Sequence, residues 1–89
     1  MTLKYYGQLK GEKRNTRVAA IEWSDGNKKD AALAERIIDL MIKTTGWKFG
    51  GGFDDMIMVD VDDRADFEDF KAFYNDAKRM FKACEKYGF

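Results

Sequence analysis

From residue 67 onward the apolar residues keep one spacing. Phe67, Phe70, Tyr74, Ala77, Phe81 and Cys84 follow one another at intervals of three and four. That period marks one face of an α-helix, and it predicts a helix from about residue 63 to 87. Phe73, Met80 and Tyr87 flank the stripe and widen it. A helix with so broad an aromatic band is stable only when another element covers it. The rest of the chain therefore has to supply an apolar surface of comparable length. Phe67, Phe70, Tyr74 and Phe81 are the expected core, Cys84 is expected to be inert on the inward face, and the flanking residues leave room for a partner or a homodimer contact.

Three segments carry the alternating pattern of strands. In LKYYGQLKG, Leu3, Tyr5, Gly7 and Leu9 alternate with Lys4, Tyr6 and Gln8, and in TRVAAIEW, Ala19, Ile21 and Trp23 share a side. With the turn-forming KGEKRNTR between them, they read as a β-hairpin of residues 2–9 and 16–23. Ile57, Val59 and Val61 alternate with Met56, Met58 and Asp60 in a third strand. Trp47 to Phe49 is expected to pair with it as a second hairpin, with Gly50, Gly51 and Gly52 near the bend.

Between the hairpins, Leu33, Ile37, Leu40, Met41 and Thr44 recur at helical spacing, widened by Ala34, Ile38 and Ile42. A helix over 30–45 is predicted, with Asp25 or Asn27 as its cap and Gly46 ending it in a left-handed turn. The order is then ββα(β)βα. The expectation is a single α+β domain over 1–89, a small two-layer fold in which two helices pack on one face of an antiparallel sheet of 3–4 strands.

The residue inventory limits the chemistry. With no histidine in the 89 residues, the commonest general acid–base group and the commonest transition-metal ligand are both missing. One cysteine and no histidine leave no structural zinc set within the chain, and Cys84 has no basic partner for a nucleophilic role. A lone cysteine also fits a reducing compartment. No secretory leader pattern or membrane-length apolar run is present, so a cytoplasmic location is expected. Seven Phe, four Tyr and two Trp remove much apolar area per residue, which favours a packed domain over disorder.

Charge is distributed unevenly. Lysine plus arginine equals aspartate plus glutamate at 16 each, yet residues 53–69, FDDMIMVDVDDRADFED, hold eight carboxylates opposed by Arg64 alone. Asp62 or Asp63 suits a helix cap, and Asp66, Glu68 and Asp69 suit the early turns of a helix. Those roles leave Asp54, Asp55 and Asp60 unexplained. A hard-cation site where the strand meets the helix is one alternative. The calcium-loop pattern fails from Asp60, however, because Arg64, Ala65 and Lys71 occupy positions that need a ligand, a glycine and a bidentate acid. No metal or cofactor is therefore expected. The remaining reading is a partner-binding surface of Asp54, Asp55, Asp60, Asp62, Asp63, Asp66, Glu68 and Asp69 facing a basic protein.

The first hairpin tip has the opposite sign, with Lys10, Lys13, Arg14 and Arg17 against Glu12. A basic ribbon can track phosphates, so a small nucleic-acid-binding domain using residues 10–17 is the alternative. The neutral total and the sequence pI near 6.2 argue against it. FGGGF lacks the Lys-Ser or Lys-Thr that follows a phosphate-cradling loop.

No catalytic motif emerges, and the expectation is a non-enzymatic protein-binding module. In general character (short, neutral in total, charge-segregated, without catalytic groups) the chain is similar to small phage and mobile-element accessory proteins, anti-CRISPR and anti-restriction inhibitors among them. That resemblance rests on no shared motif. It implies a basic, nucleic-acid-handling host protein as the partner.

Overall fold

The computed structural model describes residues 1–7 and 17–88. Four strands, β1 (Thr2–Tyr6), β2 (Arg17–Glu22), β3 (Lys48–Phe53) and β4 (Met56–Val61), alternate with α1 (Lys28–Thr44) and α2 (Arg64–Tyr87) in the order β1-β2-α1-β3-β4-α2. The sheet is antiparallel throughout, with spatial order β1-β2-β4-β3. Each hairpin thus contributes one central strand, and β1 and β3 form the two edges. This is the small α+β domain expected from the alternation of periods.

Register explains the core. Tyr5, Ala19, Val59 and Phe49 form one cross-strand row, and Leu3, Ile21, Ile57 and Gly52 form the next. Side chains directly opposite one another point to the same side of a sheet. Ala19, Ile21, Ile57, Val59 and Val61 are accordingly buried beneath Ala34, Ile37, Ile38 and Met41 of α1 and Phe67, Phe70, Tyr74 and Ala77 of α2. Each fully buried aliphatic side chain contributes roughly 1.5–3 kcal/mol relative to leaving it in water. The central strand β2 is enclosed on its other side too, where Val18 and Ala20 are buried between their β1 and β4 neighbours. On that outer side the Tyr6 hydroxyl donates to Glu22 at 3.1 Å, and Lys4 lies 3.7 Å from the same carboxylate. The hydrogen bond to Glu22 raises the Tyr6 phenol above its ordinary range.

Several boundaries differ from expectation. Within the described residues β1 ends at Tyr6 and β2 at Glu22, one residue short of the expected 23; residues 8–16, which hold the rest of the expected hairpin of 2–9 and 16–23, lie outside the described part. α1 begins two residues early because Asn27, its cap, accepts from the Asp30 amide at 3.1 Å. Its end does not use Gly46 in a left-handed turn. The cap is Thr45, in extended backbone, and Gly46 is not among the positive-φ glycines. The Thr44 and Thr45 hydroxyls donate back to the carbonyls of Leu40 and Met41 at 2.7 Å each, and the Thr45 amide also bonds Met41. The two hydroxyls thus add second donors to carbonyls of the last turns, the back-bonding open to a threonine at a helix end, and no glycine cap is used.

The second hairpin forms, but its bend is Asp54–Asp55, and all three glycines lie inside β3. Gly50 is the extra residue of a bulge between Phe49 and Gly51. A Cβ there would meet an Asp60 carboxylate oxygen at 2.5 Å, and Gly51 adopts φ +129°, a backbone region glycine alone occupies readily.

The α2 stripe is buried only as far as Ala77. Its 24 residues span about 36 Å at 1.5 Å each. The six-residue strands beneath reach roughly 20 Å. Phe81, expected in the core, is only half-buried, packed against the margin of the core and beneath the Arg36 guanidinium at 4.3 Å. Cys84 is half-exposed and Met80 and Tyr87 are exposed.

Candidate functional site

The fold spreads the acidic stretch along β4 and its two ends, and it brings Asp60, Asp62 and Asp66 together around one open pocket beside Trp47 and Lys48. Asp54 and Asp55 make the turn between β3 and β4. Asp60 projects to the outer side of the sheet, opposite Val18 and Lys48. Asp62 and Asp63 join β4 to α2, and Asp66, Glu68 and Asp69 ride on the first turns of the helix. The six residues of β4 between Asp55 and Asp62 separate the two ends by roughly 20 Å of extended chain. The eight carboxylates do not form one contiguous patch.

The fold employs three of the eight directly. Asp63 caps α2 by accepting from the Asp66 amide at 2.8 Å. The Asp66 carboxylate accepts from the Trp47 indole N–H at 2.9 Å with one oxygen and from the Asp62 amide at 2.8 Å with the other. Trp47 in turn packs edge-on to Phe70 at 5.4 Å and beside Phe73 at 5.9 Å. Asp66 thereby ties the α1–β3 connection to the start of α2. Glu68 pairs with Arg64 at 3.4 Å. Among the described residues, Asp54, Asp55, Asp60, Asp62 and Asp69 have no ion-pair partner within 4 Å. No group of three or more carboxylate or thiol side chains among the described residues is arranged to hold a metal ion.

Of the basic set, Lys10, Lys13 and Arg14 lie outside the described residues. Arg17 is described, at the start of β2, and its guanidinium donates to the Asp62 backbone carbonyl at 3.0 Å. It clamps the β2 end of the first hairpin to the β4–α2 junction.

Sequence reasoning missed what lies beside Asp54. An open groove of about 560 Å³ runs between α1 and the β3–β4 hairpin, with Trp23, Ile38, Ile42, Phe49, Phe53 and Ile57 along it. Ile42, expected to widen the buried stripe of α1, is 56% exposed, and Phe49 and Phe53 are 52% and 67% exposed. α1 is covered on one side only, which leaves its outer flank to solvent. The groove also carries Glu35 and Asp39 from α1 and Asp54 from the turn. The available signal was in α1 itself, where Glu35 and Asp39 sit four apart beside Ile38 and Ile42, so that apolar and acidic side chains share one flank.

No family model, curated protein or solved structure matches this chain. Among the described residues, no helix is long and apolar enough to cross a membrane. The functional reading therefore rests on the surface of this molecule alone.

Proposed function

We propose that this chain is a non-enzymatic protein-binding module that docks an acidic surface on a basic partner. One observation carries the reading: Asp54 and Asp55 stand exposed without an ion-pair partner among the described residues, beside exposed Phe49, Phe53 and Ile42. Exposed apolar side chains rimmed by charge are the ordinary anatomy of a binding surface. The carboxylates speed encounter with a basic surface and set register, while the apolar groups supply buried area. Asp60, Asp62 and Asp69 extend the negative field over the neighbouring surface. Asp63, Asp66 and Glu68 belong to the set chiefly through their charge, because their hydrogen bonds are made within the molecule.

A basic surface on a host protein commonly serves nucleic acid. Covering it would inhibit by occlusion, without turnover, in the manner of small phage or mobile-element inhibitors of the anti-CRISPR or anti-restriction kind. Arg17, engaged with the Asp62 carbonyl, gives the phosphate-binding alternative little support. The test is binding of a partner captured from host lysate, purified and titrated against wild type and Asp54→Lys/Asp55→Lys/Asp60→Lys. The expected result is an affinity loss of about tenfold or more, with a weaker salt dependence. Unchanged affinity would overturn the acidic-docking reading. A shift of DNA or RNA at low salt, abolished by Arg14→Ala/Arg17→Ala, would replace it with the phosphate-binding one.

A further inference from the structure

We infer that the groove between α1 and the β3–β4 hairpin receives an amphipathic basic helix of the partner protein, its apolar side chains seated on Ile42, Phe49 and Phe53 and its lysines or arginines meeting Glu35, Asp39 and Asp54. This rests on the protein-docking reading and names the chemistry that would fill the site. The groove is open because β3 gives it little to close with. Gly52 forms part of its wall, and the Phe49 ring lies near that glycine, 3.6 Å from where a Cβ would stand.

Three features select the occupant. First, both banks are acidic, with Glu35 and Asp39 on the helix and Asp54 on the turn, and no lysine or arginine is among the described residues that line it. Phosphate groups are repelled there and cations are drawn in. Second, Glu35 and Asp39 are like charges at i and i+4, an arrangement that destabilises a helix slightly on its own. Neither has an ion-pair partner within 4 Å among the described residues. A cation from outside removes that repulsion. Third, the nearby sheet edge is a poor template for an added strand, because the bulge at Gly50 and the positive φ of Gly51 break the regular run of β3. A helix laid in a groove presents apolar anchors on one face and charges at its flanks, which matches the lining.

The test uses three labelled synthetic peptides of equal length and fluorescence anisotropy with the full chain. One has leucine and lysine at helical spacing, one the same residues strictly alternating, and one leucine and glutamate at helical spacing. The expected result is that only the first binds. Ile42→Ser/Phe53→Ser should weaken it about tenfold or more, and so should Glu35→Gln/Asp39→Asn. All four positions are exposed, and thermal melts confirm that each variant folds. Failure of the leucine–lysine helix to bind, or equal binding by Ile42→Ser/Phe53→Ser, overturns the inference. Equal binding of the alternating peptide overturns it in favour of strand addition. A dimer in sedimentation that Ile42→Ser/Phe53→Ser dissolves overturns it in favour of a second copy. The two readings fail differently. If the captured partner responds to Asp54→Lys/Asp55→Lys/Asp60→Lys but not to Ile42→Ser/Phe53→Ser, acidic docking survives and the groove does not. If the partner ignores every charge change, both fall.

Discussion

At one end of β4, Asp63 and Asp66 are built into the fold; at the other, the Asp54 and Asp55 side chains meet no partner among the described residues. The residue type is the same and the strand between them is only six residues long. What differs is the supply of donors. A helix start presents backbone N–H groups with no intrahelical acceptor, and Trp47 brings an indole N–H to the same spot. The hairpin turn presents no such set. At that end the chain is tied down instead by the Trp23 amide bonding the Asp55 carbonyl at 3.0 Å, which leaves both side chains to solvent. Carboxylates that meet donors become structure, and carboxylates that do not remain free for a partner.

That contrast can be broken most directly at Asp66. Asp66→Ala removes two charge-assisted hydrogen bonds and strands the Trp47 indole, and a loss of about 2 kcal/mol is expected in denaturant unfolding. Asp63→Ala, which removes only the cap, should cost about 1 kcal/mol. Equal stability of Asp66→Ala and wild type would mean that this end is not held as described.

Tyr74 supplies a reference point away from both ends. Its hydroxyl is buried without a hydrogen-bond partner among the described residues, and burial, then the Asp30 charge, raises its pKa above the usual phenol value. The folded state therefore holds this proton more tightly than the unfolded chain. Its contribution is intact below the unfolded pKa of about 10 and is lost as pH rises through the raised folded value. Tyr74→Phe should raise stability by roughly 1 kcal/mol at neutral pH and reduce the alkaline loss. A destabilised Tyr74→Phe, or one with an unaltered alkaline limb, would show that the hydroxyl is satisfied.

The smallest effect belongs to the turn. Asp54→Asn/Asp55→Asn should leave unfolding within about 0.5 kcal/mol of wild type. A larger loss would show that these side chains serve the fold, and would remove the distinction between the two ends.

How far the sequence could be read follows the same physics. The α2 start was legible to within a residue, because an aspartate before an aromatic stripe is itself the capping chemistry. Inward residues of β2 and β4 were legible because alternation has only two phases. β3 was not legible past Phe49, since glycine carries no strand propensity, and the three glycines belong to a strand only because β4 pairs with them and Asp60 leans over Gly50. Phe81 was placed too deep because periodicity marks a face of a helix but not how completely that face is covered. Glu35 and Asp39 escaped notice, and Ile42 was read as part of the buried stripe, because their role depends on a hairpin that packs nearby from a distant part of the chain.

By itself the sequence determined the periods, the capping chemistry at the helix starts and the absence of histidine chemistry, all properties of neighbouring residues or of the inventory. Tertiary structure alone decided which aspartates are bonded and which are free, and that one flank of α1 stays open beside Phe49 and Phe53. The physical reason is that local spacing selects each element and its inward face, whereas exposure depends on what covers that face, and in this fold the cover comes from strands and helices far apart in the chain.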